Sequence, residues 1–90
     1  MSKAGSGASG GQEAPLSLDQ VRAPSRVEVL EVVGGRGARQ MMAQLAIRVG
    51  GVLRVKRAAP LGGPILVESN GGVVAVGRGL ARKVIVRVLP

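Results

Sequence analysis

From residue 15 onward the chain is a series of short Val-, Ile- and Leu-rich segments cut by glycine and proline, and no stretch between two such breaks exceeds twelve residues. Glycine and proline end helices and interrupt strand ladders, so a chain punctuated this closely folds into short elements joined by turns. The β-branched content of most segments then favours strands over helices.

Residues 26–33 read as the first strand, with Val27 and Val29 on one face and Leu30 and Val32 on the other, an imperfect alternation that Gly34-Gly35-Arg36-Gly37 ends. Residues 38–47 lack glycine and proline and carry Met41, Met42, Leu45 and Ala46 at helical spacing. They predict a short amphipathic helix with Arg39, Gln40 and Gln44 toward solvent, stopped by Gly50-Gly51. Residues 52–56 form a second strand, Leu53 and Val55 pointing one way and Arg54 and Lys56 the other. Residues 65–69 and 73–76 form the third and fourth, joined by the hairpin signal Asn70-Gly71. Residues 77–82 allow one helical turn before a fifth strand over 84–89. Ahead of these, Ser17 and Gln20 have capping-box spacing for a single turn stopped by Ala23-Pro24, and Leu16, Leu18 and Val21 are placed to close one end of the core. The expected fold is mainly β: a small five-stranded SH3-like barrel, with one short helix between the first two strands and a helical turn before the last. Residues 1–14 are mostly glycine, serine and alanine and read as a flexible tail, leaving one domain over 15–90.

Composition removes whole classes of function. There is no Cys, hence no disulfide, thiolate site or thiol nucleophile. There is no His, hence no ordinary general base near neutral pH and no imidazole ligand. There is no Phe, Trp or Tyr, hence neither a platform for stacking bases nor an aromatic groove for proline-rich peptides. No enzyme chemistry and no cofactor are expected. The net charge of +8 sits in residues 15–90, where twelve Lys and Arg face four Asp and Glu, a balance that favours anionic partners or serves solubility alone. No apolar run approaches the ~18 residues that span a bilayer, and the N-terminus has no apolar signal region; a cytoplasmic protein is expected.

One connection stands out. Ala59-Pro60-Leu61-Gly62-Gly63-Pro64 links the basic strand to Ile65-Leu66-Val67-Glu68. Its residues explain a rigid turn unaided: Pro60 fixes φ, the glycines reach conformations closed to other residues, and Pro64 blunts a strand start. The turn, with Leu16-Ser17-Leu18 ahead of it, the segment from Gln44 to Gly50, and Ala81-Arg82-Lys83-Val84-Ile85-Val86 behind it, resembles the FeoA family of bacterial ferrous-iron uptake across residues 15–89. The chain departs from that pattern at Ala46, where the family has glycine, and at Val49, where it has proline. The resemblance implies a non-enzymatic accessory or regulatory protein that binds the cytosolic side of FeoB, a membrane ferrous-iron transporter. The implied contact residues are Arg54, Lys56, Arg57, Pro60, Leu61, Gly62, Gly63, Pro64, Arg39 and Gln44, with Leu61 exposed at the tip and the protein monomeric or weakly self-associating.

Four other patterns carry less. Arg78, Arg82, Lys83 and Arg87 could join Arg54, Lys56 and Arg57 in a basic face for a nucleic-acid-binding or metal-regulator module. Glu28, Glu31, Glu68, Met41 and Met42 are the conceivable iron ligands. Thioethers suit softer metals, and a regular strand sends Glu28 and Glu31 to opposite faces, so no metal site is assigned. Gly34-Gly35-Arg36-Gly37 lacks the G-K-[ST] ending of a P-loop. Gly5 to Gly10 matches G-x-G-x-x-G with neither a strand before it nor a helix after.

Overall fold

A computed structural model describes residues 14–90; the expected tail lies outside the described residues save for Ala14. The elements run β1 (Leu16–Ser17), a 3₁₀ turn (Leu18–Gln20), β2 (Ser25–Val32), α1 (Arg36–Gln44), β3 (Val52–Ala58), β4 (Ile65–Ser69), β5 (Gly72–Val76), α2 (Arg78–Ala81) and β6 (Val84–Val88). All strand pairs are antiparallel, in the spatial order β1-β6-β2-β3-β4-β5. The five expected strands and both helical segments are present. A sixth strand, only two residues long, pairs Leu16 with Val86 and Ser17 with Ile85. It escapes a periodicity reading because two residues have no period. The predicted capping reach is made: the Ser17 N–H donates to Gln20 Oε1 at 3.1 Å.

The inner face is aliphatic throughout. Val27, Val29, Leu53, Val55, Ile65, Val67, Val76, Val84 and Val86 line it, with Leu18, Met42 and Ile47 closing the ends. Branched, rotamer-restricted side chains fill this interior without any aromatic ring. The split expected within residues 26–33 is corrected by a β-bulge. The register of β2 against β6 shifts between Val29 and Glu31, so Val27, Val29 and Val32 all point inward. The extra residue also turns Glu28 and Glu31 to the same outer side, where a regular strand would have separated them. Glu28 is engaged there by Arg87. A second bulge, between Val55 and Arg57 in β3, leaves Lys56, Arg57 and Ala58 all exposed.

α1 begins and ends earlier than its spacing predicts. Met42 is its buried residue, while Met41 is 49% exposed, so one methionine of the pair packs in the core. The helix ends in a Schellman motif. The Ile47 N–H bonds the Met42 carbonyl at 2.9 Å and the Ala46 N–H bonds the Ala43 carbonyl at 3.0 Å, while Met42 and Ile47 are both buried. The motif requires a left-handed residue between Leu45 and Ile47, and Ala46 occupies it at φ 61°. A Cβ there costs roughly 1–2 kcal/mol. Ala46→Gly is therefore expected to raise the unfolding free energy by about 1 kcal/mol, as a shift of the urea midpoint with unchanged m-value.

Candidate partner-binding turn

The β3–β4 connection is a tight turn with its own hydrogen bonds. The Ala59 N–H donates to the Pro64 carbonyl at 3.0 Å and the Gly63 N–H to the Pro60 carbonyl at 3.1 Å. Leu61 and Gly62 are its central residues, at φ 59° and 76°, the left-handed pair of a type I′ turn. The two glycines serve different ends. Gly62 supplies positive φ, whereas a Cβ on Gly63 would sit 2.7 Å from the Ala59 Cβ, so position 63 demands glycine for space. Leu61 is fully exposed.

Arg78, at the start of α2, holds the turn from behind. Its Nε donates to the Gly63 carbonyl at 2.8 Å, Nη2 to the Ala59 carbonyl at 3.0 Å, and Nη1 to the Asp19 carbonyl at 3.2 Å. One planar guanidinium thus satisfies carbonyls on both limbs of the turn and ties them to the 3₁₀ segment. Periodicity and turn chemistry give no sign of this contact, because its partners are backbone atoms from 15 to 59 residues away.

The basic face expected of the C-terminal arginines is not formed as one surface. Arg78 turns inward, Arg82 lies 3.8 Å from Asp19, and Arg87 pairs with Glu28. Arg54, Lys56 and Arg57 are exposed on β3, with Lys56 3.8 Å from Glu68. These three and residues 60–64 lie along one strand and the turn that follows it. Arg39 and Gln44 are exposed on α1, which precedes the opposite end of β3, a strand's length or ~20 Å from the turn. The helix end has features of its own. A groove of about 360 Å³ between α1 and β2 is lined by Met42, Ile47, Val32 and Val49, with Glu31, Arg39 and Arg48 also in its wall. The β4–β5 hairpin reaches this end through Ser69, whose Oγ donates to the Ala46 carbonyl at 3.2 Å. Among the described residues no three of His, Cys, Asp and Glu come together as a metal-binding group. None of the described helices is long and apolar enough to cross a membrane.

Comparison with known proteins settles the relationship. The family model for the FeoA domain matches residues 16–88. The chain belongs to the FeoA family. A protein of Methanocaldococcus jannaschii assigned as Fe(2+) transport protein A is 37% identical over 60 residues, covering 67% of this chain and 71% of that protein. The crystal structure of an iron uptake regulatory protein, FeoA, superposes with a TM-score of 0.78 at 29% identity, over 84% of this chain and 99% of that one. The solution structure of the FeoA protein from Chlorobium tepidum gives 0.74 at 33% identity, over 83% and 71%. The fold, an SH3-like barrel, also occurs as part of a manganese-dependent transcriptional repressor (TM-score 0.77, 20% identity, 43% of that chain), a likeness of fold alone.

The Arg78 contacts generate a test. Arg78→Ala orphans three carbonyls and is expected to cost about 2–3 kcal/mol in urea denaturation. Arg78→Lys, with one ammonium in place of a fork, is expected to recover less than half of that.

Proposed function

We propose that this FeoA protein acts by docking on the cytosolic part of a FeoB-type ferrous-iron transporter, with the turn at residues 59–64 as its contact and no reaction catalysed by the chain itself. The observation that carries the proposal is Leu61. It pairs a bulky side chain with left-handed backbone and full exposure, so it costs stability on two counts and touches nothing that would recover it. Glycine or asparagine would make the same turn at lower cost. A leucine kept on a braced turn is suited to filling an apolar recess on another molecule, the pattern of an interface anchor. Arg57, Lys56 and Arg54 behind it supply positive charge for an acidic rim, which would speed association and make it sensitive to salt. The helix side, with Arg39 and Gln44, would require a second contact at the far end of the barrel.

The test is calorimetry between the full chain and the purified cytosolic domain of the transporter from the same organism. Leu61→Asp is expected to weaken binding at least tenfold, equivalent to about 1.4 kcal/mol, with the thermal midpoint unchanged or raised. Leu61→Gly is expected to weaken binding as well while stabilising the free domain by about 1 kcal/mol. Undiminished binding by both variants would sink the assignment of the turn. A salt-sensitive mobility shift with duplex DNA, and no transporter binding, would favour the nucleic-acid reading instead.

A further inference from the structure

The outer face of the sheet carries an arrangement that folding alone does not explain. Arg26 of β2 and Arg54 of β3 are directly opposite one another. The Arg26 carbonyl accepts from the Leu89 N–H, on the β6 side, whereas Val29 exchanges its bonds with Gly50 and Gly51 on the β3 side. Arg26 and Arg54 are therefore a non-hydrogen-bonded pair, the kind in which Cα atoms approach to about 4.5 Å and side chains lie closest. Like charges at such positions repel and destabilise the sheet. Acids do lie near the pair, Glu68 in register with Arg54 across β4 and Glu28 two residues along β2 from Arg26, but Glu68 is 3.8 Å from Lys56 and Glu28 is engaged by Arg87. Among the described residues neither Arg26 nor Arg54 makes a salt bridge or a side-chain hydrogen bond. Both line a surface depression of about 410 Å³ with Val52 and Glu68, and both line a second of about 210 Å³ beside it with Pro24 and Ser25.

We infer that Arg26 and Arg54 form a carboxylate-binding site for an acidic segment of a partner protein, sharing Arg54 with the basic strand behind the turn but using none of residues 59–64. Two guanidinium groups side by side can share one carboxylate through charge-assisted hydrogen bonds, which removes their mutual repulsion. Glu68 in the wall of the larger depression opposes a doubly charged phosphate more than a single carboxylate. Val52, 52% exposed and next to the pair, offers an apolar contact that a peptide of mixed acidic and aliphatic residues can use and a phosphate backbone cannot. A nucleic-acid track would need the positive charge to continue across the sheet, and there Arg87 is already paired.

The full chain alone is titrated with a blocked synthetic peptide in which glutamates alternate with leucine and threonine, with its glutamine counterpart as control. The measurement needs no transporter, so its outcome is independent of the role given to Leu61. The acidic peptide is expected to bind and to shift the Arg26 and Arg54 Nε–H resonances. Arg26→Thr and Arg54→Thr are each expected to weaken binding about tenfold, while Arg36→Thr, on an exposed position of α1, leaves it unchanged. The same two threonine variants are expected to raise the thermal midpoint at low ionic strength, with the gain shrinking as salt screens the repulsion. Three results would each overturn the inference. They are unchanged peptide affinity in both variants, a lowered midpoint in both at low salt, and capture of anionic vesicles or duplex DNA by this pair without binding of the acidic peptide.

Discussion

The contact on which the arrangement of this protein turns is the guanidinium of Arg78. A barrel of short strands has a weak point wherever a connection must leave the sheet and return. The β3–β4 turn does so with two main-chain hydrogen bonds of its own and a leucine in a left-handed conformation. Arg78 adds donors to both limbs and a third to the segment after β1. It therefore ties the paired limbs of the β3–β4 turn to the 3₁₀ segment after β1, with which they share no strand pairing. The exposed tip is held from behind by a half-buried side chain.

The rest of the fold follows from filling a small interior with aliphatic side chains. Val, Ile and Leu pack densely but cover less area than aromatic rings, so the sheet must bend tightly to enclose them. The two bulges help supply that bend, since a bulged strand coils more strongly than a regular one. They also have consequences on the outer surface. The bulge in β2 brings Glu28 and Glu31 to one side, and that in β3 puts three successive residues into solvent ahead of the turn. Curvature that serves the core thus sets the pattern of charge on the outer surface.

Strain is distributed unevenly. Ala46 and Leu61 are both left-handed, yet for different reasons. Ala46 lies where a helix must stop so that Met42 and Ile47 can both reach the core, so packing accounts for its backbone. Leu61 has no such account inside the chain, and neither has the opposed pair of Arg26 and Arg54. In a domain of this size, with a thin margin of stability, features that cost energy without internal return are the ones on which the two proposals rest.

The five longer strands, the order of elements, the tight turn and the family were legible in the residues, because each depends on local chemistry. Alternation of β-branched residues makes strands, glycine and proline end them, and Asn70-Gly71 and Pro60 to Pro64 select their turns. The family resemblance also placed Leu61 at an exposed tip and marked Ala46 as a position where glycine is usual. The bulges, the two-residue β1 and the fates of the C-terminal arginines were decided by the tertiary structure alone. A bulge is chosen by the register of the neighbouring strand, and β1 exists only because β6 lies beside it. Arg78, Arg82 and Arg87 read alike in the sequence. One clamps a turn, one lies beside Asp19 and one pairs with Glu28, because the atoms that separate their roles are brought near them only when the sheet closes.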